Sequence, residues 1–154
     1  MNMKVIDTHA HYDDSAFDSD RNELLNEILE NSVGKIITIG CSLESSRNAI
    51  EIAEDFPSVY ASVGIHPSDC IGLPENYIET LSDMSRSKKV VAIGEIGLDY
   101  HYDGYDKDAQ IDCFIKQLEL AEKLSFPVII HSREATADTM DILRKYTPRG
   151  VAHC

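Results

Sequence analysis

Residues 90–100 read Val90-Val91-Ala92-Ile93-Gly94-Glu95-Ile96-Gly97-Leu98-Asp99-Tyr100. Residues 90–95 are an apolar run that ends on a single carboxylate, with Gly94 and Gly97 around it. A run apolar on both faces suits a strand covered by helices outside and by neighbouring side chains inside. An ionised carboxylate closing such a strand is costly unless it is paired or bound to a cation. Glycines beside it let a ligand or a neighbouring backbone come close.

The same design recurs outward from this stretch. Similar runs at 4–9, 35–41, 59–66, 127–131 and 150–153 bring the strand count to six. Between them, apolar residues fall at helical spacing at Leu24, Leu25, Ile28 and Leu29, at Ile111, Phe114, Ile115, Leu118 and Ala121, and more weakly at Ala137, Met140, Ile142 and Leu143. Such alternation indicates repeated βα units and a parallel sheet. Residues 99–108, DYHYDGYDKD, read as a surface loop. No linker or low-complexity stretch divides the chain, so residues 1–154 are expected to form one domain.

The polar residues that close the six runs are His9, Cys41, His66, Glu95, His131 and His153, at intervals of 32, 25, 29, 36 and 22 residues. In a parallel βα barrel the strand ends meet on one face, where functional groups collect. The expected fold is therefore α/β, a TIM-type barrel with about six of its eight strands in this chain. Eight units at this spacing need on the order of 230 residues, and such barrels typically run to about 250, against 154 here. A barrel short of two strands leaves the edges of its first and sixth strands open. The chain is accordingly expected to be part of a longer protein, to be completed by another chain, or to associate with itself through that gap.

Each strand-end residue has an ordinary reading beside its chemical one. His9 and His11 form an H-x-H pair whose side chains leave one side of an extended strand, with Asp7 nearby as a possible acceptor for a ring N–H. Glu95 either pairs with Arg133 or a lysine, or binds a cation. His131 and His153 each follow three apolar residues, where a lone histidine is usually bonded to a backbone carbonyl; two at equivalent strand ends beside an H-x-H pair and a carboxylate suit one or two divalent ions. Nitrogen donors favour zinc or manganese, while carboxylates and water allow magnesium. His66 is a candidate for donating to a substrate oxygen, and Arg133 for gripping a phosphate as a bidentate donor. Tyr100, His101 and Tyr102 could stack on a base. Cys41 reads as a small apolar residue.

Composition bounds the function. With 14 Lys and Arg against 27 Asp and Glu, the net charge of −13 argues against a broad basic nucleic-acid clamp. It leaves room for a phosphoester substrate, because bound cations reverse the charge locally. No apolar run approaches the roughly 20 residues of a membrane span. Four widely spaced cysteines suggest neither a disulfide framework nor a zinc finger, and a cytoplasmic setting is expected.

The ordered set IDTHAH, GIHP, GEIGLDY, QLELA, PVIIHSREA and a terminal AHC resembles the TatD family of metal-dependent deoxyribonucleases across nearly all 154 residues. The resemblance implies that His9 and His11 serve one metal position and that Glu95 bridges to a second, which His131 and His153 complete. It further implies that His66 contacts substrate or metal. Two departures stand out: Gln110 is followed by Ile111 where the family usually has Arg, and the aspartate that family members supply from a later strand has no counterpart here. The implied activity is hydrolysis of DNA phosphodiesters, trimming from an end or on single strands, with Glu95, His66 and Arg133 as catalytic candidates. An amidohydrolase acting on a small amide or ester, and a non-catalytic binding protein or inactive fragment, are the rival readings.

Overall fold

The computed structural model describes residues 4–153. Six parallel strands, β1 (Val5–Ala10), β2 (Val33–Ile39), β3 (Val59–Val63), β4 (Val90–Asp99), β5 (Val128–Arg133) and β6 (Gly150–His153), lie side by side in sequence order. Five helices follow the first five strands: α1 (Arg21–Asn31), α2 (Leu43–Asp55), α3 (Tyr77–Met84), α4 (Lys107–Leu124) and α5 (Thr136–Tyr146). Sequence periodicity locates α1, α4 and α5 but not α2 or α3. In α2 the buried residues are the small Ser46, Ala49 and Ala53, which carry little hydrophobic signal, while α3 has only eight residues.

The sheet is curled. In a flat sheet five strand spacings of about 4.8 Å separate the first strand from the sixth, yet the imidazoles of His9 on β1 and His153 on β6 stack at 3.9 Å. This is the curvature of a TIM-type barrel. The apolar residues divide between its two faces with period two. Ile36, Val128 and Ile130 belong to the main core beneath the helices, whereas Ile39, Ala92 and Ile129 form a small cluster on the concave side. Among the described residues, β1 and β6 are the sheet's edges, and Val5, Ile6 and Val151 on them are exposed.

Several strand ends differ from the sequence expectation. β2 starts two residues earlier and stops at Ile39, so Cys41 lies just beyond it, and β3 stops at Val63, leaving His66 in the following loop. β4 continues past Glu95 to Asp99, which makes the first residue of the expected surface loop a buried strand end. No helix among the described residues is long and apolar enough to cross a membrane.

Candidate metal centre

Glu95 owes its position to a bulge in β4. Ile93 stands opposite Val128 and Ile96 opposite Ile130, so Gly94 and Glu95 together face one residue of β5, Ile129. The extra residue turns the carboxylate into the concave face while Ile93 and Ile96 both stay in the outer core. A side chain at Gly94 would lie 2.6 Å from Cβ of Ile129. At Gly97, where φ is +146°, it would meet the carbonyl oxygen of His131 at 1.9 Å. Glycine is required here because β4 and β5 press together beneath the site.

The Glu95 side chain is only 3% exposed, and histidines and a thiol surround it. On one side, Oε2 faces His9 Nε2 at 3.4 Å, His11 Nε2 at 4.0 Å and Cys41 Sγ at 4.0 Å. On the other, Oε1 faces His131 Nδ1 at 3.1 Å and His153 Nε2 at 3.7 Å. The alternative pairing with Arg133 is not formed: Arg133 bonds the Tyr102 hydroxyl at 3.3 Å and covers its ring. The four histidines expected to bind metal therefore converge on the fifth expected ligand, the Glu95 carboxylate. Both ring nitrogens of His9 are buried without a hydrogen-bond partner. Asp7 leaves them free, because its carboxylate accepts the His9 backbone N–H instead.

Asp99 is a candidate site residue that the strand-end pattern does not mark. Its Oδ2 lies 2.9 Å from His131 Nε2, so the imidazole spans two carboxylates, Glu95 at Nδ1 and Asp99 at Nε2. The sequence does hold a signal for it: Glu95, Gly97 and Asp99 are two apart, and alternate residues of a strand share a face. Two glutamines of α4 hold the backbone around the site. β3 pairs with β4 only as far as Val63 and Ile93, so the β4 residues beyond lack a strand on that side. There the Gln110 amide accepts from the Asp99 N–H at 2.9 Å and donates to its carbonyl at 2.8 Å. Gln117 does the same for Ile65, at 2.8 and 3.1 Å, next to His66.

Burial alone would raise the pKa of Glu95, but the hydrogen bond from His131 and the nearby imidazoles of His9 and His66 hold it far below the usual carboxylate range. Burial likewise works against a charged His131, and its bonds to Glu95 and Asp99 outweigh this and raise its pKa. His66 is lowered by burial and by His131, and His153 by burial and by His9. The ring of His66 packs edge-on to that of His131 at 4.4 Å, and its Nδ1 accepts from the Ser68 N–H. The neutral His66 ring thus carries its proton on Nε2. In the neighbouring loop, Tyr100 stacks on Tyr105 and donates to Asp138, His101 meets Glu134 at 2.7 Å, and Tyr102 is the most exposed of these rings.

Three sets of donor atoms could each hold a metal ion: His9, Glu95 and His153; His11, Cys41 and Glu95; and His66, Asp99 and His131. Comparison with known proteins agrees with this donor chemistry. The metal-dependent hydrolase YabD of Bacillus subtilis is 37% identical over 153 residues, 97% of this chain and 60% of YabD. The 3'-5' ssDNA/RNA exonuclease TatD of Cronobacter sakazakii is 31% identical over 153 residues, 97% of this chain and 58% of its own length. The crystal structure of YjjV, a TatD homologue from Escherichia coli, matches with a TM-score of 0.90 and 33% identity over 97% of this chain and 59% of YjjV. The chain thus spans about three fifths of the length of these relatives. Residues 6–154 match the family model described as TatD related DNase, and the chain belongs to that family.

Proposed function

We propose that this chain carries the catalytic face of a metal-dependent phosphodiesterase that trims single-stranded nucleic acid, DNA first among its substrates. The observation that carries the reading is the buried Glu95 carboxylate, whose two oxygens face two separate donor sets. Its charge and the two unpartnered nitrogens of His9 fit a divalent cation, and a buried anion among imidazoles has little other use. His9 and His11 would hold one cation and His131 and His153 the other, with Glu95 shared; His153 is also within reach of the first, since its donor atom groups with those of His9 and Glu95. Magnesium, manganese and zinc are the cations this mixture of nitrogen and oxygen donors accepts. When bound, such cations lower the pKa of a water and offset charge on the phosphorus transition state.

The chain's own groups prepare that site. To bind a cation His131 would give up the Nδ1 proton it otherwise shares with Glu95 and keep its Nε2 proton on Asp99, leaving the Nδ1 lone pair for the ion. Neutral His66 donates from Nε2 to a non-bridging phosphate oxygen, and its lowered pKa keeps it neutral. Arg133 offers a planar cation at the rim for a second phosphate oxygen, while Tyr102 beneath it supplies an exposed ring for a base. We assign the protein to the cytoplasm, in keeping with the free thiols of Cys41, Cys70 and Cys113. We also propose that the edges of β1 and β6, open among the described residues, are covered by further strands of a longer chain, by another chain or by a second copy; a monomeric 154-residue chain that binds no hydrophobic dye would refute this.

The test compares hydrolysis of an end-labelled single-stranded DNA with that of small cyclic amides and esters under the same Mn²⁺ concentration. Stepwise shortening of DNA that stops on chelation and in Glu95→Gln supports the proposal. Faster amide turnover favours the amidohydrolase, and stoichiometric metal binding without hydrolysis favours a binding protein. DNA cleavage that survives exhaustive chelation would refute the metal mechanism.

A further inference from the structure

The thiol of Cys41 has a position that an apolar filler does not need. Its backbone is tied to the site on both sides: the N–H donates to Ser45 Oγ at 3.1 Å, and the carbonyl accepts from the His66 N–H at 2.7 Å. The preceding carbonyl, that of Gly40, accepts from the Glu95 N–H at 2.9 Å. The β2 end is thus bonded to two candidate site residues, and it directs the Cys41 side chain across the concave face. There Sγ lies 3.8 Å from His11 Nδ1 and 4.0 Å from Glu95 Oε2, the oxygen that also faces His9.

Those separations can be set against what a shared cation requires. With metal–sulfur bonds near 2.3 Å and metal–nitrogen or metal–oxygen bonds near 2.0–2.1 Å, tetrahedral donors stand about 3.5 Å apart. The thiol is within a few tenths of an ångström of that distance from both partners, and one ligand atom from each of His11, Cys41 and Glu95 lies within 4.8 Å of the others. Glu95 and His9 add independent evidence that something belongs among these groups, the first as a carboxylate 3% exposed and the second through its unpartnered ring nitrogens.

We propose that Cys41 is a fourth ligand, with His9, His11 and Glu95, of the cation on the Oε2 side of Glu95, and that it biases that position toward zinc. The proposal rests on the metal-centre reading above. Thiolate is a soft donor that suits zinc and disfavours magnesium and manganese, which prefer oxygen. The two cation positions then differ in kind: one includes sulfur, and the other, with His131 and His153, has only nitrogen and oxygen. Binding at the first releases the thiol proton.

The test is titration of the metal-free, reduced chain with Co²⁺, Zn²⁺ and Mn²⁺, using the wild type, Cys41→Ser, Cys41→Ala and Glu95→Gln. Far-ultraviolet circular dichroism verifies that each variant is folded. The wild type should show the intense near-ultraviolet absorption of a cobalt–thiolate bond, with one thiolate per ion. Both Cys41 variants should lose that band, and their zinc affinity should fall by roughly tenfold or more, with manganese affinity held within about twofold. Should either Cys41 variant unfold, the band is read in wild type alkylated at Cys41, as verified by peptide mass mapping. Cobalt bound without the band, or a band that survives loss of Cys41, overturns the proposal and leaves the metal centre standing. If none of the three ions binds the wild type, both fall together.

Discussion

Replacing Gln110 with leucine tests how the site is held. The side chain is 3% exposed, and its amide makes both hydrogen bonds of the Asp99 peptide on the side that β3 does not reach. Leucine has nearly the same size, so little cavity opens, but it can neither accept nor donate. The buried N–H and C=O of Asp99 then lose their partners, at about 1–3 kcal/mol for each group left unsatisfied. Partial entry of water brings the sum toward the lower half of that range, about 3 kcal/mol in all. For a domain of this size each kcal/mol lowers the melting temperature by about 2–4 °C, so Gln110→Leu should melt roughly 6–12 °C below wild type. Differential scanning calorimetry of the metal-free chain measures this. Lys116→Ala on the same helix, which removes only an exposed ion pair with Asp112, is the control and should change stability by no more than about 1 kcal/mol. A Gln110→Leu chain that melts within about 2 °C of wild type would refute the argument that this glutamine stands in for a missing strand.

Asp99→Asn should weaken binding of cations near His131 by about 10–100-fold, because it removes the anion that orients the ring; isothermal titration with Mn²⁺ reports it, and unchanged affinity counts against the role. Gly97→Ala forces a methyl group onto the His131 carbonyl at a positive φ and should cost about 3 kcal/mol or more in denaturant unfolding. The metal-free chain should be most stable close to pH 6.5. Below that ordinary histidine value the contribution of His131, whose pKa is raised, is fully present and constant, whereas His66 and His153, whose values are lowered, withdraw stability as pH falls. Glu95 and Asp99 withdraw more as pH drops below 4.5 and 3.8. Above pH 6.5 the His131 contribution disappears as pH rises through its raised value. Thermal melts across this range that keep rising to pH 8 would contradict the assignment, and His131→Gln should remove the alkaline decline.

The strands were legible because their β-branched residues come in short runs at βα spacing, and α4 because its apolar positions repeat over eighteen residues. Helices α2 and α3 were not. The buried face of α2 is built from alanine and serine where the chain packs closely, and such a face resembles a polar stretch in sequence. Asp99 was hidden in a run of aspartates and tyrosines that reads as loop. Its burial follows from β4 outrunning β3, with a glutamine from a helix that begins eight residues later supplying the missing partner. Nothing local in sequence encodes that partnership.

The sequence by itself determined which donor types gather on one face: histidine and glutamate at the ends of recurring strands, with glycines beside the carboxylate. Tertiary structure alone decided how those donors divide. The curl of the sheet brings His153 of the sixth strand onto His9 of the first, the β4 bulge turns Glu95 between two donor sets, and Asp99 and Cys41 join the site from positions read as loop and as filler. The physical reason is that periodicity records which way a side chain points from its own strand. The distance between side chains on different strands depends on register, bulges and sheet curvature, which arise only when the strands pack together.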